Sequence, residues 1–331
     1  MIRTSNLIGL FLVSAISIVG CGKNDQSSTG GGATTQASGD ITIAVIPKGT
    51  THAYWKTVHA GAEAAAKDLG VAINWKGPVK ENDRSDQIAM VQQFVGEGVQ
   101  GIVVAPLDFE GLAAPVADAT GKGIPVVIID SAVKGTAGKD FVSFVATNNH
   151  QAGVLGGENL AKLLGEKGKV VLLRYVPGSA STDERESGFL EAIAKYPNIT
   201  VISKDQYGGA TQGEAKDKSL QMLDKLQEAD GIFCPNESST LGMLGALDQA
   251  GLVGKKKFVG FDATPPLVDA LRAKQIDVLI AQNPRKMGYE GVKACVSAIR
   301  KQPVEQQIDT GTAVITLQNI DDPEIKKVLG E

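Results

Sequence analysis

Short apolar runs alternate with longer amphipathic segments along most of the chain. The runs have the length and composition of buried strands and lie at 41–47, 71–75, 101–105, 125–130, 141–146, 169–174, 199–203, 231–234, 257–261 and 278–281. The segments between most of them carry apolar residues at helical spacing and lie at 54–69, 86–97, 111–121, 151–164, 182–195, 213–226, 238–250 and 286–300. This alternation predicts an α/β fold in which helices cover both faces of parallel sheets.

One βαβ unit occurs twice in the pattern. Residues 101–106 (GIVVAP) open a strand, a helix and a second strand that ends at Asp130, and residues 231–236 (GIFCPN) open the same succession, which ends at Asp262. Both aspartates therefore follow a parallel strand at its carboxyl end, the edge where open α/β sheets bind ligands. If the two units belong to separate lobes with facing edges, both aspartates look into one cleft. The alternative is that both only cap turns.

The apolar run at 7–19 differs from the others, because Arg3 precedes it and Gly20 and Cys21 follow it. It is too short to span a bilayer comfortably and has the pattern of a cleaved export signal. Its last residues, Ile-Val-Gly-Cys, resemble a bacterial lipoprotein signal. We predict a signal peptide at 1–21 with a lipidated Cys21, and a polar, flexible tether at 22–40. The alternative is an ordinary secretory signal with an incidental cysteine; either way the folded part works outside the cytoplasm.

Charge and cysteine content exclude several kinds of partner. The chain has 37 acidic and 33 basic side chains and a net charge of −4, so it has no basic footprint for nucleic acid. Cys234 and Cys295 have no cysteine or histidine at metal-ligand spacing, so we expect no metal site. We expect both to be buried free thiols, the alternative being a disulfide formed in an oxidising compartment.

The sequence lacks the common catalytic and cofactor motifs. The first strand leads into Lys48-Gly49-Thr50-Thr51-His52 in place of a Gly-x-Gly-x-x-Gly turn, and there is no Walker loop, His-Glu-x-x-His or Gly-x-Ser-x-Gly sequence. We therefore expect no cofactor and no enzyme activity. Two carboxylates in one cleft also suit glycoside hydrolysis, which stays a minor alternative.

The predicted strand ends carry planar polar and aromatic side chains. His52, Tyr54 and Trp55 follow the first strand, and the others lie at or just beyond later strand ends: Asp130, Arg185, Asn236, Asp262 and Gln282. Carboxylates accept hydrogen bonds from vicinal hydroxyls, Arg, Asn and Gln donate them, and aromatic faces cover the C–H surface of a sugar ring. The set predicts a polyhydroxylated ligand. Taken singly, Tyr54 and Trp55 also suit a helix core, and Arg185 a solvated helix face.

Several stretches carry a family resemblance: 43–46 with Tyr54-Trp55 and Gly61-Ala62, 101–106, 124–130, 183–189 (DERESGF), 236–237, 260–265 (GFDATP) and 280–282. Through them the chain resembles the ribose-type monosaccharide-binding proteins of bacterial ABC importers, from residue 41 to about 317. The resemblance implies that the side chains of Asp130, Arg185, Asn236, Asp262 and Gln282 bind sugar hydroxyls, and that Tyr54 and Trp55 sandwich the ring.

The same resemblance implies a domain organisation. It predicts the type I periplasmic binding protein fold, with two Rossmann-like lobes built on parallel sheets and joined by three crossover strands. The N-terminal lobe would comprise 41–146 plus 283–309, and the C-terminal lobe 147–282 plus 310–331. We expect hinges near 146–147, 282–283 and 309–311.

Three positions depart from the ribose pattern. Ser131 follows Asp130 where ribose binders have an arginine, and Lys48 and His52 stand where smaller polar residues are usual. All three are included in the candidate ligand site. The changes favour a ligand other than ribose: a different pentose, a deoxy or branched sugar, a polyol, or a ligand with a carbonyl or carboxylate. Lys48, together with Gly77-Pro78, is similar to the rhamnose and furanosyl autoinducer branch of the same superfamily.

The resemblance implies an extracytoplasmic solute-binding protein that captures a monosaccharide or similar molecule between its lobes and delivers it to an ABC permease in the membrane. We expect a monomer, held in the cell envelope by the lipid on Cys21. One alternative is a ligand receptor for chemotaxis or quorum signalling. A cytoplasmic sugar-responsive repressor shares the fold, but it needs a DNA-binding helix-turn-helix where this chain has an export signal.

Overall fold

The computed structural model of the chain describes residues 41–330. Its strands are β1 (Thr42–Ile46), β2 (Ala72–Trp75), β3 (Gly101–Val104), β4 (Val126–Ile129), β5 (Ser143–Ala146), β6 (Lys167–Arg174), β7 (Asn198–Tyr207), β8 (Gly231–Phe233), β9 (Lys257–Phe261), β10 (Val278–Gln282), β11 (Gln307–Asp309) and β12 (Thr312–Ile315). Its helices are α1 (Ala53–Leu69), α2 (Arg84–Glu97), α3 (Ala113–Gly121), α4 (Asn149–Leu163), α5 (Ala180–Ile193), α6 (Gln212–Gln221), α7 (Leu223–Glu228), α8 (Glu237–Gln249), α9 (Pro265–Arg272), α10 (Pro284–Ile299) and α11 (Pro323–Leu329). The predicted signal peptide, Cys21 and the tether lie outside the described residues.

The first sheet has the strand order β11-β5-β4-β3-β1-β2, and its neighbouring strands are parallel. Alternate residues of a strand point to opposite faces of the sheet, and in this sheet both sets are buried. In β1, Ile43 and Val45 pack in a cluster with α1 and α10, whereas Ala44 and Ile46 pack in a cluster with α2 and α3. We call this sheet and its helices the N-lobe.

The second sheet has the strand order β12-β10-β9-β8-β6-β7 and is covered in the same way. Val170 and Leu172 of β6 pack with α4 and α5, whereas Val171 and Leu173 pack with α6, α8 and α9. We call this sheet and its helices the C-lobe. The βαβ repeat of the sequence thus places β3, α3 and β4 in one lobe and β8, α8 and β9 in the other. The predicted α/β fold with two lobes is confirmed.

β12 departs from the parallel arrangement, since it runs antiparallel to β10. Sequence reasoning predicted parallel sheets and listed neither β11 nor β12, which are short and have no clear period. The direction of β12 follows from its connection. β11 runs toward the carboxyl edge of the N-lobe sheet, and only Thr310 and Gly311 separate it from β12. Because the carboxyl edges of the two sheets face each other, a chain that crosses straight over must run against the C-lobe strands.

Short connections join the lobes within the described residues. They lie between β5 and α4, between β10 and α10, and between β11 and β12. Buried polar side chains at these connections contact one another, since Thr147 Oγ1 donates a hydrogen bond to Gln282 Oε1 over 3.1 Å and lies 3.4 Å from Thr310 Oγ1. The positions match the predicted hinges. Their motion, and the predicted extents of the lobes as moving units, stay predictions.

Cys234 and Cys295 are free, buried and located in different lobes. Burial raises the pKa of the Cys295 thiol to about 12 and that of the Cys234 thiol well above its ordinary value. The expectation of two buried free thiols is confirmed. Among residues 41–330, no helix has the length and apolarity needed to cross a membrane, and no group of His, Cys, Asp and Glu is arranged to hold a metal ion.

A close contact between α1 and α10 holds the N-lobe together. A Cβ added at Gly61 would lie 2.0 Å from the carbonyl oxygen of Arg285, and one added at Gly288 would lie 2.0 Å from the carbonyl oxygen of Val58. Real Cβ atoms do not approach an oxygen so closely. Only glycine at both positions lets the two helix backbones pack at this distance.

Gly61→Ala should lower the free energy of unfolding by about 1–3 kcal/mol, because the added methyl forces α1 away from α10. Gly96→Ala in α2 is the matched control, since nothing lies within 4 Å of its Cβ position. That change should be neutral or stabilise by up to about 1 kcal/mol. Urea unfolding of the two variants tests the contact, and equal stabilities would contradict it.

Candidate functional site

Asp130 and Asp262 directly follow β4 and β9 and adopt left-handed backbone conformations, with φ of 63° and 72°. This region is uncommon for residues other than glycine, although aspartate tolerates it better than most. Both side chains are buried and line one cavity between the lobes. The two aspartates therefore share one cleft as expected; that they bind a ligand there stays a prediction. Backbone strain at such positions is common at functional sites.

Residues from both lobes line the cavity: Lys48, His52, Tyr54, Trp55, Glu81, Asp130, Tyr175, Ser181, Thr182, Arg185, Asn236, Glu237, Asp262 and Gln282. Nine of the ten residues predicted for the ligand site are among them. The exception is Ser131, which is fully buried and accepts a hydrogen bond on Oγ from the Ser181 N–H over 3.0 Å. The cavity has a volume of about 30 Å³, room for about two water molecules. A sugar-sized ligand can enter only when the lobes separate or the side chains rearrange.

Lys48 connects the two lobes at one end of the cavity. Its ammonium lies 2.8 Å from Asp130 Oδ1 in its own lobe. It also donates hydrogen bonds to two C-lobe hydroxyls, Ser181 Oγ at 2.9 Å and Ser179 Oγ at 3.3 Å. The other oxygen of Asp130 accepts a hydrogen bond from the Tyr54 hydroxyl over 3.0 Å. The buried charge of Asp130 is thereby neutralised before any ligand arrives.

Asp262 forms the opposite side of the cavity with Gln282. Its Oδ1 accepts a hydrogen bond from Gln282 Nε2 over 2.8 Å, and its Oδ2 accepts one from the backbone N–H of Glu237 over 2.8 Å. Burial raises the pKa of Asp262 to about 6, although the Arg185 guanidinium acts in the opposite direction. Donor groups brought by a ligand would favour the ionised carboxylate and so lower this pKa.

Arg185 is buried, so its alternative as a solvated helix residue is wrong. Its Nε donates a hydrogen bond to Asn149 Oδ1 over 2.8 Å, its Nη1 donates one to the Pro235 carbonyl over 2.9 Å, and its guanidinium lies 3.9 Å from the centroid of the Phe261 ring. Nη2 has no partner among the described residues. A Cβ at Gly153 of α4 would lie 2.0 Å from the Arg185 carbonyl oxygen, so close helix packing fixes the backbone of this residue.

Tyr54 and Trp55 lie in the first turn of α1 and serve both the core and the cavity. Their rings are 5.0 Å apart and nearly perpendicular, at 85°. Two perpendicular neighbours cannot place parallel faces on opposite sides of one sugar ring, so the predicted sandwich by these two residues is wrong. The physical reason is that consecutive helix residues project about 100° apart.

Glu81 organises a second polar group at the cavity wall. His52 Nδ1 lies 2.5 Å from Glu81 Oε1, and the same oxygen accepts a hydrogen bond from Trp55 Nε1 over 2.7 Å. Glu81 Oε2 accepts one from the hydroxyl of Tyr175, a C-lobe residue, over 2.9 Å. This N-lobe carboxylate therefore has partners in both lobes.

Sequence reasoning missed five cavity residues: Glu81, Tyr175, Ser181, Thr182 and Glu237. Tyr175, Ser181 and Thr182 follow the carboxyl end of β6. Open α/β sheets bind ligands at this edge, and the argument that identified Asp130 therefore applies to these three residues as well. Glu237 is the neighbour of the predicted Asn236. Glu81 lies in the loop between β2 and α2, and no local pattern marks it.

Glu237 joins the lobes through the N-terminus of α1. Its Oε1 accepts a hydrogen bond from the backbone N–H of Ala53 over 3.2 Å, and its Oε2 accepts one from that of Tyr54 over 3.0 Å. The residue before the helix, His52, makes no capping hydrogen bond with its side chain, and the first turn contains no acidic residue. A carboxylate of the C-lobe thus caps a helix of the N-lobe. The contact joins the two lobes, so separation of the lobes would break it.

Asn236 holds Glu237 in place by capping α8. Its Oδ1 accepts a hydrogen bond from the Ser239 N–H over 3.2 Å, and its Nδ2 donates one to Ser238 Oγ over 3.2 Å. Asn236 thus contacts the cavity while it fixes the first turn of α8. The helix cap accounts for its position, and its predicted role in ligand binding stays a prediction.

Comparisons with known proteins agree on one family. A family profile described as periplasmic binding protein domain matches residues 43–303. The D-allose-binding periplasmic protein of Escherichia coli is 30% identical over 269 residues, which cover 80% of this chain and 86% of that protein. The ribose import binding protein of Haemophilus influenzae is 28% identical over 282 residues, which cover 85% of this chain and 94% of that protein.

Solved structures give the same result. A carbohydrate transporter solute binding protein from Agrobacterium radiobacter, in complex with D-arabinose, has a TM-score of 0.84 and 31% identity, and the match covers 88% of this chain and 100% of that one. An ABC transporter solute binding protein from Agrobacterium vitis, with bound D-fucose, has a TM-score of 0.84 and 34% identity, with 87% and 99% covered.

Glu237→Ala should shift the ligand-free protein toward an open arrangement, because closure no longer caps α1. The loss of one cap, about 1 kcal/mol, changes the ratio of open to closed protein about fivefold. Small-angle X-ray scattering without ligand should report a larger radius of gyration. Glu158→Ala on the exposed face of α4 is the control. Matching scattering curves for wild type and Glu237→Ala would contradict the capping role.

Proposed function

Because the chain belongs to the periplasmic binding protein family, we propose that it captures a monosaccharide or polyol in the cavity between its lobes and delivers it to an ABC import permease. The observation that carries this proposal is the convergence of Asp130, Asp262, Arg185, Asn236 and Gln282 on one cavity. Carboxylates that accept and amide and guanidinium groups that donate suit a molecule covered with hydroxyls.

The proposed ligand site comprises the predicted residues that line the cavity, together with Glu237, Thr182 and Ser181; Ser131 supports the wall from outside. The relatives guide the choice of ligand. Proteins similar to this chain are named or described for D-allose, ribose, D-arabinose, D-fucose, alpha-D-tagatopyranose and xylitol. These compounds share several adjacent hydroxyls on a small carbon skeleton, and this shared chemistry is what we propose for the present ligand.

Binding is proposed to act through closure of the lobes. A ligand held by side chains of both lobes gains its full set of contacts only in the closed arrangement, so it shifts the equilibrium toward that arrangement. Contacts across the cleft such as Glu237 with α1 and Lys48 with Ser181 support a closed state that already has some stability without ligand. The closed lobes would present one surface to the permease.

The family binds substrates for transport, and we propose that this chain performs no reaction. A single chain supplies both halves of the cavity, which supports the proposal of a monomer. We further propose that a lipid on Cys21 keeps the protein at the membrane, so that the ligand is released close to the permease. Cys21 lies outside the described residues, and its sequence context alone supports this proposal.

A thermal-shift screen with the sugars and polyols named above tests the function. At a concentration of about 100 times Kd, a true ligand stabilises by about 2.7 kcal/mol, which corresponds to a rise in Tm of roughly 5–10 °C. Asp262→Asn should abolish the shift, and asparagine tolerates the left-handed backbone there. Asp248→Asn, on the exposed face of α8, should keep it. A flat response of the wild type to every compound would overturn the proposal.

Replacement of Cys21 by serine should release the protein from the membrane fraction, because serine cannot carry the thioether-linked lipid. Metabolic labelling with a radioactive fatty acid should mark the wild type and leave Cys21→Ser unlabelled. Cys295→Ala, which changes a buried thiol of the N-lobe, is the control and should remain labelled. An ordinary cleaved secretory signal predicts no label in any of the three proteins.

A further inference from the structure

His52 is held on one side and free on the other. Its Nδ1 lies 2.5 Å from Glu81 Oε1, whereas its Nε2 is buried and has no hydrogen-bond partner among the described residues. The imidazole lines the cavity between the lobes. A buried polar nitrogen without a partner carries a desolvation cost, so an atom that enters the cavity gains by pairing with it.

Glu81 has no freedom to release His52. Trp55 Nε1 donates to one of its oxygens over 2.7 Å, and the Tyr175 hydroxyl donates to the other over 2.9 Å. Glu81 as a whole is 5% exposed. Rotation of this group would leave two buried donors unpaired, so the imidazole ring is kept with Nδ1 toward Glu81 and Nε2 away from it.

The same pair sets the charge of the ring. Burial disfavours a charged imidazole, but the carboxylate of Glu81, helped by those of Glu237 and Asp262, outweighs burial and raises the pKa of His52 to about 9. Burial also opposes the charge on Glu81, yet His52 lowers the pKa of that carboxyl to about 2. Other charged and titratable groups line the same cavity from seven elements: Lys48 after β1, Tyr54 of α1, Asp130 after β4, Tyr175 after β6, Arg185 of α5, Glu237 of α8 and Asp262 after β9.

We propose that Glu81 is a positioning residue that fixes His52 as a charged hydrogen-bond donor, and that His52 selects ligands presenting an oxygen that accepts at this point of the cavity. The inference rests on the proposed function and deepens it by assigning the chemistry required of one ligand atom. An imidazolium has no lone pair, so Nε2 can only donate. The ligand must turn a lone pair toward it, from a hydroxyl, ring or carbonyl oxygen.

The aspartates impose the opposite requirement. The oxygens of Asp130 and Asp262 that face the cavity can accept hydrogen bonds from ligand hydroxyls, whereas His52 selects an oxygen lone pair. A ligand that lacks the oxygen opposite His52 leaves a charged donor unpaired, and sites built around a hydrogen bond reject such analogues strongly. His52 is therefore a determinant of which sugar or polyol binds, rather than a general contact.

Calorimetric titration with the best binder from the thermal-shift panel and its single-deoxy analogues tests the assignment. Wild type should bind one analogue roughly 10- to 100-fold more weakly because of the lost bond to a charged donor. His52→Ala should bind the parent compound more weakly by a similar factor and should no longer distinguish that analogue. Penalties at the other hydroxyl positions should persist in the variant. His150→Ala removes a more exposed histidine, which pairs with Glu191, and is the control.

Nitrogen-15 NMR of the imidazole rings tests the positioning role of Glu81. The chain has three histidines, so replacement of His59 and His150 identifies the His52 signals. His52 should stay protonated at pH 8 and lose its proton near pH 9, and affinity should fall as the pH rises through that value. In Glu81→Gln the midpoint of both curves should move toward about 6.5, the ordinary histidine pKa. The pKa values of Tyr54 and Tyr175 lie well above 10, because burial raises both, so these hydroxyls stay neutral in this range.

The outcomes separate this inference from the proposed function. If no compound of the panel binds wild type, both are overturned. If wild type binds a sugar, and His52→Ala binds that sugar and each deoxy analogue with the same affinity as wild type, only the role of His52 is overturned. If Glu81→Gln lowers Tm but leaves the pH midpoints unchanged, Glu81 has a structural role alone and its positioning role is overturned.

Discussion

Burial of charge in the cleft is the constraint on which the closed arrangement depends. The carboxylates of Glu81, Asp130, Glu237 and Asp262 and the cations Lys48, His52 and Arg185 all line one small cavity. A buried charge is tolerated only with partners, and partners for three of these groups lie in the opposite lobe. Lys48 reaches Ser181, Glu81 reaches the Tyr175 hydroxyl, and Glu237 reaches the first turn of α1. Closure therefore gives these three groups hydrogen-bond partners in the opposite lobe, whereas opening would expose them to water.

The donors left without partners define what a ligand must add. Among the described residues of the cavity, His52 Nε2 and Arg185 Nη2 are buried and unpaired, while the carboxylates already have partners from the protein. Each carboxylate oxygen has further acceptor capacity, so hydroxyl groups can join these bonds without displacing them. A ligand with several hydroxyls supplies acceptors and donors at once, which fits the observed mixture better than a purely anionic or apolar molecule.

The two lobes are built alike, and this similarity brings polar side chains to both sides of the cleft. Equivalent βαβ units end in Asp130 and Asp262, and equivalent glycine contacts bring together α1 with α10 in one lobe and α4 with α5 in the other. Such backbone contacts leave little room for deformation within a lobe. The proposed movement of the lobes would then concentrate at the connections near Thr147 and Gln282. Gln282 belongs both to a connection and to the cavity wall, so ligand contact and lobe position are linked through one side chain.

The sequence predicted the two lobes, ten of the twelve strands of the described residues and most of the cavity residues. The period of apolar residues identifies buried strands, and parallel strands present their carboxyl ends at one edge, so local pattern was sufficient to locate Asp130, Asp262 and their companions. It was insufficient where the outcome depends on packing. The predicted helix at 213–226 is broken at Met222, whose φ of −107° and ψ of 25° are not helical. β12 runs antiparallel to β10 because the chain crosses straight from one sheet to the other. The spacing of apolar residues within a strand carries no information about such a crossing.

Tertiary structure alone decided which polar groups pair across the cleft. Glu81 stands in an irregular loop, yet it contacts His52, Trp55 and Tyr175, residues distant from it in sequence. Tyr54 and Trp55 were expected on either side of a ring, but their perpendicular geometry and shared core contacts exclude that arrangement. Periodicity reports which face of an element is buried. It does not report which side chain of another element meets that face, because that depends on how two lobes close over one another.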